Sequence, residues 1–193
     1  PYASRHDGKM HACGHDGHTA MLLAAGQCLA ENVDFDGTVR LIFQPAEEGH
    51  VGARKMIEDG LFELFPCDAV FAMHNWPGLP VGKFGFLVGP FMACADTVTI
   101  RINGRGGHGA MPQDTVDPVV AAASLVMVLQ TVVARNRPPL DMGVVGVGSI
   151  HGGNSSTVVP TYVELAVTVR ALKETTRQLL LQRIEALAHA QAE

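Results

Sequence analysis

Between His11 and His18 the chain reads His-Ala-Cys-Gly-His-Asp-Gly-His, which puts three imidazoles, a thiol and a carboxylate within eight residues. Imidazole, thiolate and carboxylate are together the donors taken by zinc and its first-row neighbours manganese, cobalt and nickel. Cys13 and His15 alone are equally readable as a buried thiol beside solvent-exposed histidines. With His11 and His18 nearby, in a glycine loop before a helix, a metal is the better reading. Two later points offer partners: the adjacent acids Glu47-Glu48, and His74. Alone, paired acids are usually a solvated turn and a lone histidine a core residue. Beside other ligands, one carboxylate can hold a metal while its neighbour takes the proton of the water the metal activates and passes it to a leaving amine. That is the chemistry of amide hydrolysis.

Further groups lie downstream. His108 sits in the glycine loop 104–109 and could donate a hydrogen bond to a carbonyl oxygen as charge develops there; the alternative is a flexible surface loop. Arg170 could fork onto a substrate carboxylate, or be a solvated sheet residue. Gly104-Arg105-Gly106-Gly107 opens no helix and no Lys-Ser/Thr pair follows, so it is not a phosphate loop. His6, His50, His151 and His189 read as surface histidines.

These groups need a scaffold. Thr19 to Glu31 has helical spacing of Ala20, Leu23, Ala24 and Gln27, so the ligand loop leads into a helix N-terminus whose dipole favours thiolate and carboxylate. Val39–Phe43 and Ala69–Met73 are short apolar runs and read as buried strands. Helix 52–59 between them, with Gly60 as its stop, suggests a mostly parallel α/β sheet. Glu47, Glu48 and His74 would then lie at the carboxyl ends of strands, where such sheets bind ligands. Proline and glycine crowd residues 77–90, a connector with one short strand near 84–87. Beyond it Val98, Ile100 and Ile102 alternate with polar residues. Asp117-Pro118 starts a helix to about Ala134. Strands follow at Val144–Ile150 and Tyr162–Arg170, the latter with Val163, Leu165, Val167 and Val169 on one face. Leu180, Ile184 and Leu187 mark a final helix. The order strand-helix-strand-strand-helix lacks only the last strand of a split βαβ pattern, an antiparallel sheet covered on one face. The expected domains are 1–93 and 94–193.

The composition, 47% hydrophobic and 17% charged with net charge −5, fits a globular protein and argues against nucleic acid or an anionic membrane surface as partner. No apolar run approaches a membrane span, and no signal pattern is present. The four scattered cysteines read as reduced thiols of a cytoplasmic protein.

Lys9–His18, Gln44-Pro45-Ala46-Glu47-Glu48-Gly49, Met73-His74-Asn75-Trp76-Pro77-Gly78 and Gly106-Gly107-His108-Gly109-Ala110-Met111-Pro112 together resemble the M20 metallopeptidase family, nearest to its hippurate hydrolase and N-acyl amino acid amidohydrolase subgroup. The resemblance spans essentially the whole chain. It implies a zinc-exopeptidase-like α/β catalytic domain, partial here, carrying an α+β ferredoxin-like lid that also dimerises. It implies two divalent ions (Mn, Zn, Ni or Co) held by Cys13, His15, Glu48 and His74, with Cys13 bridging and Glu47 as general base. His108 would reach the partner subunit's site to polarise the scissile carbonyl, and Arg170 would help hold the substrate carboxylate. The family's orienting Asp would precede Pro1 and its last His ligand would follow Glu193, so the resemblance implies an internal piece of a longer hydrolase. Thr157 stands where the family has Asn, with Asn154 nearby, so the substrate contact there is altered. The implied activity is hydrolysis of N-acyl amino acids such as hippurate. A dipeptidase or N-acetyl amino acid deacetylase on the same centre, or a non-catalytic dimerisation module with a vestigial metal site, are the alternatives. A retained Glu47 favours catalysis over the last.

Overall fold

A computed structural model describes residues 3–49 and 51–192; the expected surface histidine His50 lies outside them. The chain divides into two compact units, Pro1–Phe84 and Gly85–Glu193, a division earlier than the one expected near residue 93.

The first unit carries α1 (His15–Glu31), α2 (Gly52–Glu58) and α3 (Leu61–Leu64). Helix α1 starts one turn before its expected start at Thr19. Gly14 at its N-cap takes φ 80°, which turns the chain sharply, and Asp16 in the first turn complements the dipole. His15 and His18 are therefore helical and lie one turn apart on one face. The expected strands at 39–43, 69–73 and 84–87 do not form, and among the described residues this unit contains no strand. An extended apolar run becomes a strand only when a neighbour's N–H and C=O groups meet its own, and no such ladder exists here. The runs remain open, with Val70 61% and Phe71 93% exposed.

The second unit holds β1 (Cys94–Asn103), β2 (Gly107–His108), α4 (Pro118–Thr131), β3 (Gly143–His151), β4 (Val158–Val159), β5 (Tyr162–Ala171) and α5 (Glu174–Ala190). Strands β1, β5 and β3 form an antiparallel sheet in that order, and β2 pairs with β4. The order read from the sequence is present with the two short strands added. Strand β5 is central, and Val163, Leu165, Val167 and Val169 are at most 1% exposed. They pack with Ala122, Leu125 and Leu129 of α4 and Leu180 and Ile184 of α5 into one apolar cluster. Tyr162, Glu164 and Arg170 lie on the open face. Asp117 caps α4 by accepting the Val119 N–H at 2.8 Å, with Pro118 at the first position, as its sequence predicts. The helix does not stay α-helical to Ala134: Val132–Asn136 continue as a π-turn. Pro118–Asn136 is 19 residues long and apolar enough to cross a membrane by length and composition, which corrects the expectation that no run approaches a span. Here Pro118, Ala122, Leu125 and Leu129 are buried within the unit.

Polar ties fasten the start of α5. Thr176, buried at 2% exposure, donates to Asp141 Oδ2 at 2.9 Å, and Lys173 pairs with the same carboxylate. Arg177 forks onto Asp96 of β1 through Nε at 2.7 Å and Nη2 at 2.6 Å. That fork holds the Asp96 carboxyl below the usual carboxylate range.

Candidate metal centre

Three segments of the first unit meet. The α1 start brings Cys13 and His15, the loop 44–49 brings Glu47 and Glu48, and the segment after Met73 brings His74. Cys13 Sγ lies 3.6 Å from His74 Nε2. His15 Nε2 lies 3.5 Å from Glu47 Oε2 and 3.8 Å from Glu48 Oε1. Ligand atoms of Cys13, His15 and His74 fall within 4.8 Å of one another, as do those of His15, Glu47 and Glu48. Two donors about 2.0–2.3 Å from one tetrahedral ion stand roughly 3.3–3.7 Å apart. The donor set and its spacing thus fit one or more divalent ions. Convergence was read from strand ends of a parallel sheet; the residues converge although that sheet is not formed.

The acid loop is shaped by two local features. Ala46 takes φ 48°, unusual for a residue with a Cβ, and re-aims the chain at Glu47. Gly52 lies so close to the Pro45 carbonyl oxygen that a Cβ there would sit 1.7 Å from it. Pro45 and Gly52 therefore lie against each other, and both carboxylates are exposed, at 58% and 68% of the side chain.

His74 is oriented by its neighbour. Its Nδ1–H donates to the Asn75 carbonyl oxygen at 2.7 Å, which leaves the Nε2 lone pair on the side of Cys13. His18 does not join either ligand group. Its Nε2 lies 2.5 Å from Asn75 Oδ1 and 3.0 Å from the Asn75 backbone nitrogen, and its ring centroid is 4.3 Å from that of His74. The sequence reading names Cys13, His15, Glu48 and His74 as the ligands, with His18 only nearby, and gives Asn75 no role. The signal available was the three-residue spacing of His15 and His18 beside an Asn adjoining His74. His11 is exposed and belongs to neither group.

In the second unit the β2–β4 pair sets His108 opposite Val158, next to Thr157. The Gly109 N–H donates to the Thr157 carbonyl at 2.7 Å, and Thr157 Oγ1 lies 3.1 Å from Ser155 Oγ. Asn154 is exposed in the same loop. The Ala110 N–H donates to His108 Nδ1 at 3.1 Å. Arg170 is not brought to this group. It sits near the end of β5 remote from Tyr162 and β4, roughly 26 Å along the strand at about 3.3 Å per residue.

Residues 1–188 match the peptidase family M20/M25/M40. The chain belongs to this family. It is 46% identical over 188 residues to an N-acetyl-L-cysteine deacetylase of Bacillus subtilis, covering 97% of this chain and 45% of that relative. It is 45% identical over 184 residues to a hippurate hydrolase of Campylobacter jejuni, covering 95% and 48%. A solved Bacillus subtilis structure, described as a dinuclear metal binding peptidase from M20 family, superposes with TM-score 0.73 at 37% identity, over 100% of this chain and 48% of that one. The chain thus spans about half the length of the curated relatives it matches.

Proposed function

We propose that the complete protein is a metal-dependent amidohydrolase of N-acyl amino acids. The observation that carries this is the meeting of one thiol, two imidazoles and two adjacent carboxylates at ligand spacing. Relatives named for N-acetylcysteine and hippurate, both amino acids acylated on nitrogen, support the substrate class.

In this reading Cys13, His15, Glu48 and His74 hold the ions. The likeness to a dinuclear relative supports two. Cys13, as a thiolate, would supply the soft donor of the set. Bound divalent ions supply the charge that brings the pKa of water down to roughly 7 and polarises a carbonyl. Glu47, left free of a ligand role, takes the proton of the attacking water and delivers it to the departing nitrogen. His108 accepts the Ala110 N–H on Nδ1, so the neutral ring carries its proton on Nε2. That N–H is a donor for the carbonyl oxygen. The second unit then acts as a lid that pairs with a second copy and lends His108 to its centre, with Thr157 and Asn154 bordering the substrate. Arg170, at the other end of β5, would help hold the substrate carboxylate. The ion is manganese, zinc, nickel or cobalt, and the four unpaired cysteines suit a cytoplasmic setting.

The test is hydrolysis of N-acetyl and N-benzoyl amino acids and of dipeptides by the full-length protein, before and after a chelator. Release of free amino acid from at least one acyl class, abolished by the chelator and restored by a divalent ion, is expected. An absence of hydrolysis by metal-loaded protein on every substrate would overturn the proposal.

A further inference from the structure

We propose that His18 and Asn75 form a positioning pair that sets the direction and tautomer of His74 in the metal centre. This rests on the metal reading of Cys13, His15, Glu48 and His74 above. The starting point is a shortage. Among the described residues the first unit buries no apolar side chain, and Gly52 is its one buried residue. Among the described residues the segment of His74 meets the start of α1 through polar contacts, and those of His18 with Asn75 span the two segments.

Asn75 acts through three groups at once. Its carbonyl accepts the His74 Nδ1–H at 2.7 Å, which fixes the proton on Nδ1 and leaves Nε2 free to ligate. Its backbone nitrogen and side-chain Oδ1 both face His18 Nε2, at 3.0 and 2.5 Å. One ring nitrogen either accepts the Asn75 N–H or donates to Oδ1, and each choice ties the same two residues. The Asn75 amide also lies over Gly14, where a Cβ would come within 2.6 Å of Oδ1 and 2.9 Å of Nδ2. Gly14 is thus needed both for its φ of 80° and for the room it leaves. The chain of contacts runs from helix α1 through His18 to Asn75 to His74, and ends 3.6 Å from the Cys13 sulfur. His18 itself is spent on Asn75, which explains why a histidine so near the ligands lies outside both ligand groups. A ligating histidine is aimed by the group that holds its other nitrogen, and loss of such support typically weakens metal affinity 10–100-fold.

The experiment uses the full-length protein with His18→Ala, His18→Gln, Asn75→Ala and Asn75→Asp. Zn²⁺ affinity is measured by competition with a chromophoric chelator, and Co²⁺-substituted spectra report on the ligand field. His18→Ala and Asn75→Ala are expected to lose 10–100-fold in Zn²⁺ affinity and to shift the Co²⁺ bands, while the metal-free proteins melt with the wild type. His18→Gln, whose amide can still donate and accept, should recover a large part of the loss. Affinity within twofold of wild type in both alanine variants would overturn the inference, as would equal loss in His18→Gln and His18→Ala. Unfolding of the metal-free alanine variants would also overturn it, because His18 would then serve the fold rather than His74. Unchanged affinity in the alanine variants of a protein that hydrolyses amides removes only this inference. Weakened affinity in variants of a protein that hydrolyses nothing removes only the proposed function.

Discussion

The two units of the chain solve opposite problems. In the second, the strands around β5 and the helices α4 and α5 exclude water from a contiguous apolar cluster, with Leu125, Leu129, Leu165 and Leu180 fully buried. In the first, apolar side chains such as Phe71 and Trp76 remain open, while imidazole, thiol and carboxylate groups crowd together. One unit is held by hydrophobic burial, which is non-directional. In the other, the described contacts among the donor groups are ones whose partners and angles matter. It follows that substitutions should separate: those in the buried cluster of the second unit should register as stability, and those among the donor groups of the first as metal affinity or turnover.

The largest separation is expected at Glu47. Glu47→Gln in the complete protein should lower turnover about 10²–10⁴-fold while bound metal and melting temperature stay unchanged. A fall in metal content that accounts for the lost rate would assign Glu47 to ligation instead. Leu165→Ala tests the other side. Removing a fully buried side chain from the central strand should cost about 2–5 kcal/mol, read by denaturant unfolding, with the zinc affinity of the folded protein unaltered. A matching loss of affinity would show that the units are not separable in this sense.

A smaller effect is expected at Gly14. A Cβ there meets both the left-handed φ, a cost of roughly 1–2 kcal/mol, and the Asn75 amide. Gly14→Ala should therefore weaken zinc binding more than it lowers the melting temperature of the second unit. The smallest effect concerns Arg177 and Asp96. The folded Asp96 carboxyl titrates below its ordinary range, chiefly because of the Arg177 hydrogen bonds. The stabilisation is thus fully present above about pH 4 and is lost as pH falls through the lower folded value. Arg177→Ala should lower the unfolding midpoint at neutral pH, and the difference from wild type should shrink under acid. A pH-independent difference would show that the guanidinium acts by packing alone.

The same contrast explains what could be read from residues. The second unit was legible because burial imprints a period: Val163, Leu165, Val167 and Val169 alternate with outward residues, and Asp117-Pro118 announces a helix. In the first unit the ligands were legible by chemical type, and Cys13, His15, Glu47, Glu48 and His74 do meet. Of the scaffold expected to bring them together, the described residues carry the helices but not the paired strands. Val39–Phe43 and Ala69–Met73 have strand composition, but composition cannot supply the neighbouring ladder a strand requires. The His18–Asn75 contact was illegible because it depends on how a glycine at φ 80° turns one segment beneath another. Arg170 lies on the open face of β5, as its alternation with the buried valines indicates.

The claim on which the rest depends is that Cys13 and the two histidines hold a common metal centre. Zinc-edge X-ray absorption on the metal-loaded, full-length protein tests it directly. The account predicts a sulfur scatterer at about 2.3 Å beside nitrogen and oxygen at about 2.0–2.2 Å, with the sulfur shell lost in Cys13→Ser. A nitrogen and oxygen shell without sulfur, identical in wild type and Cys13→Ser, would contradict it.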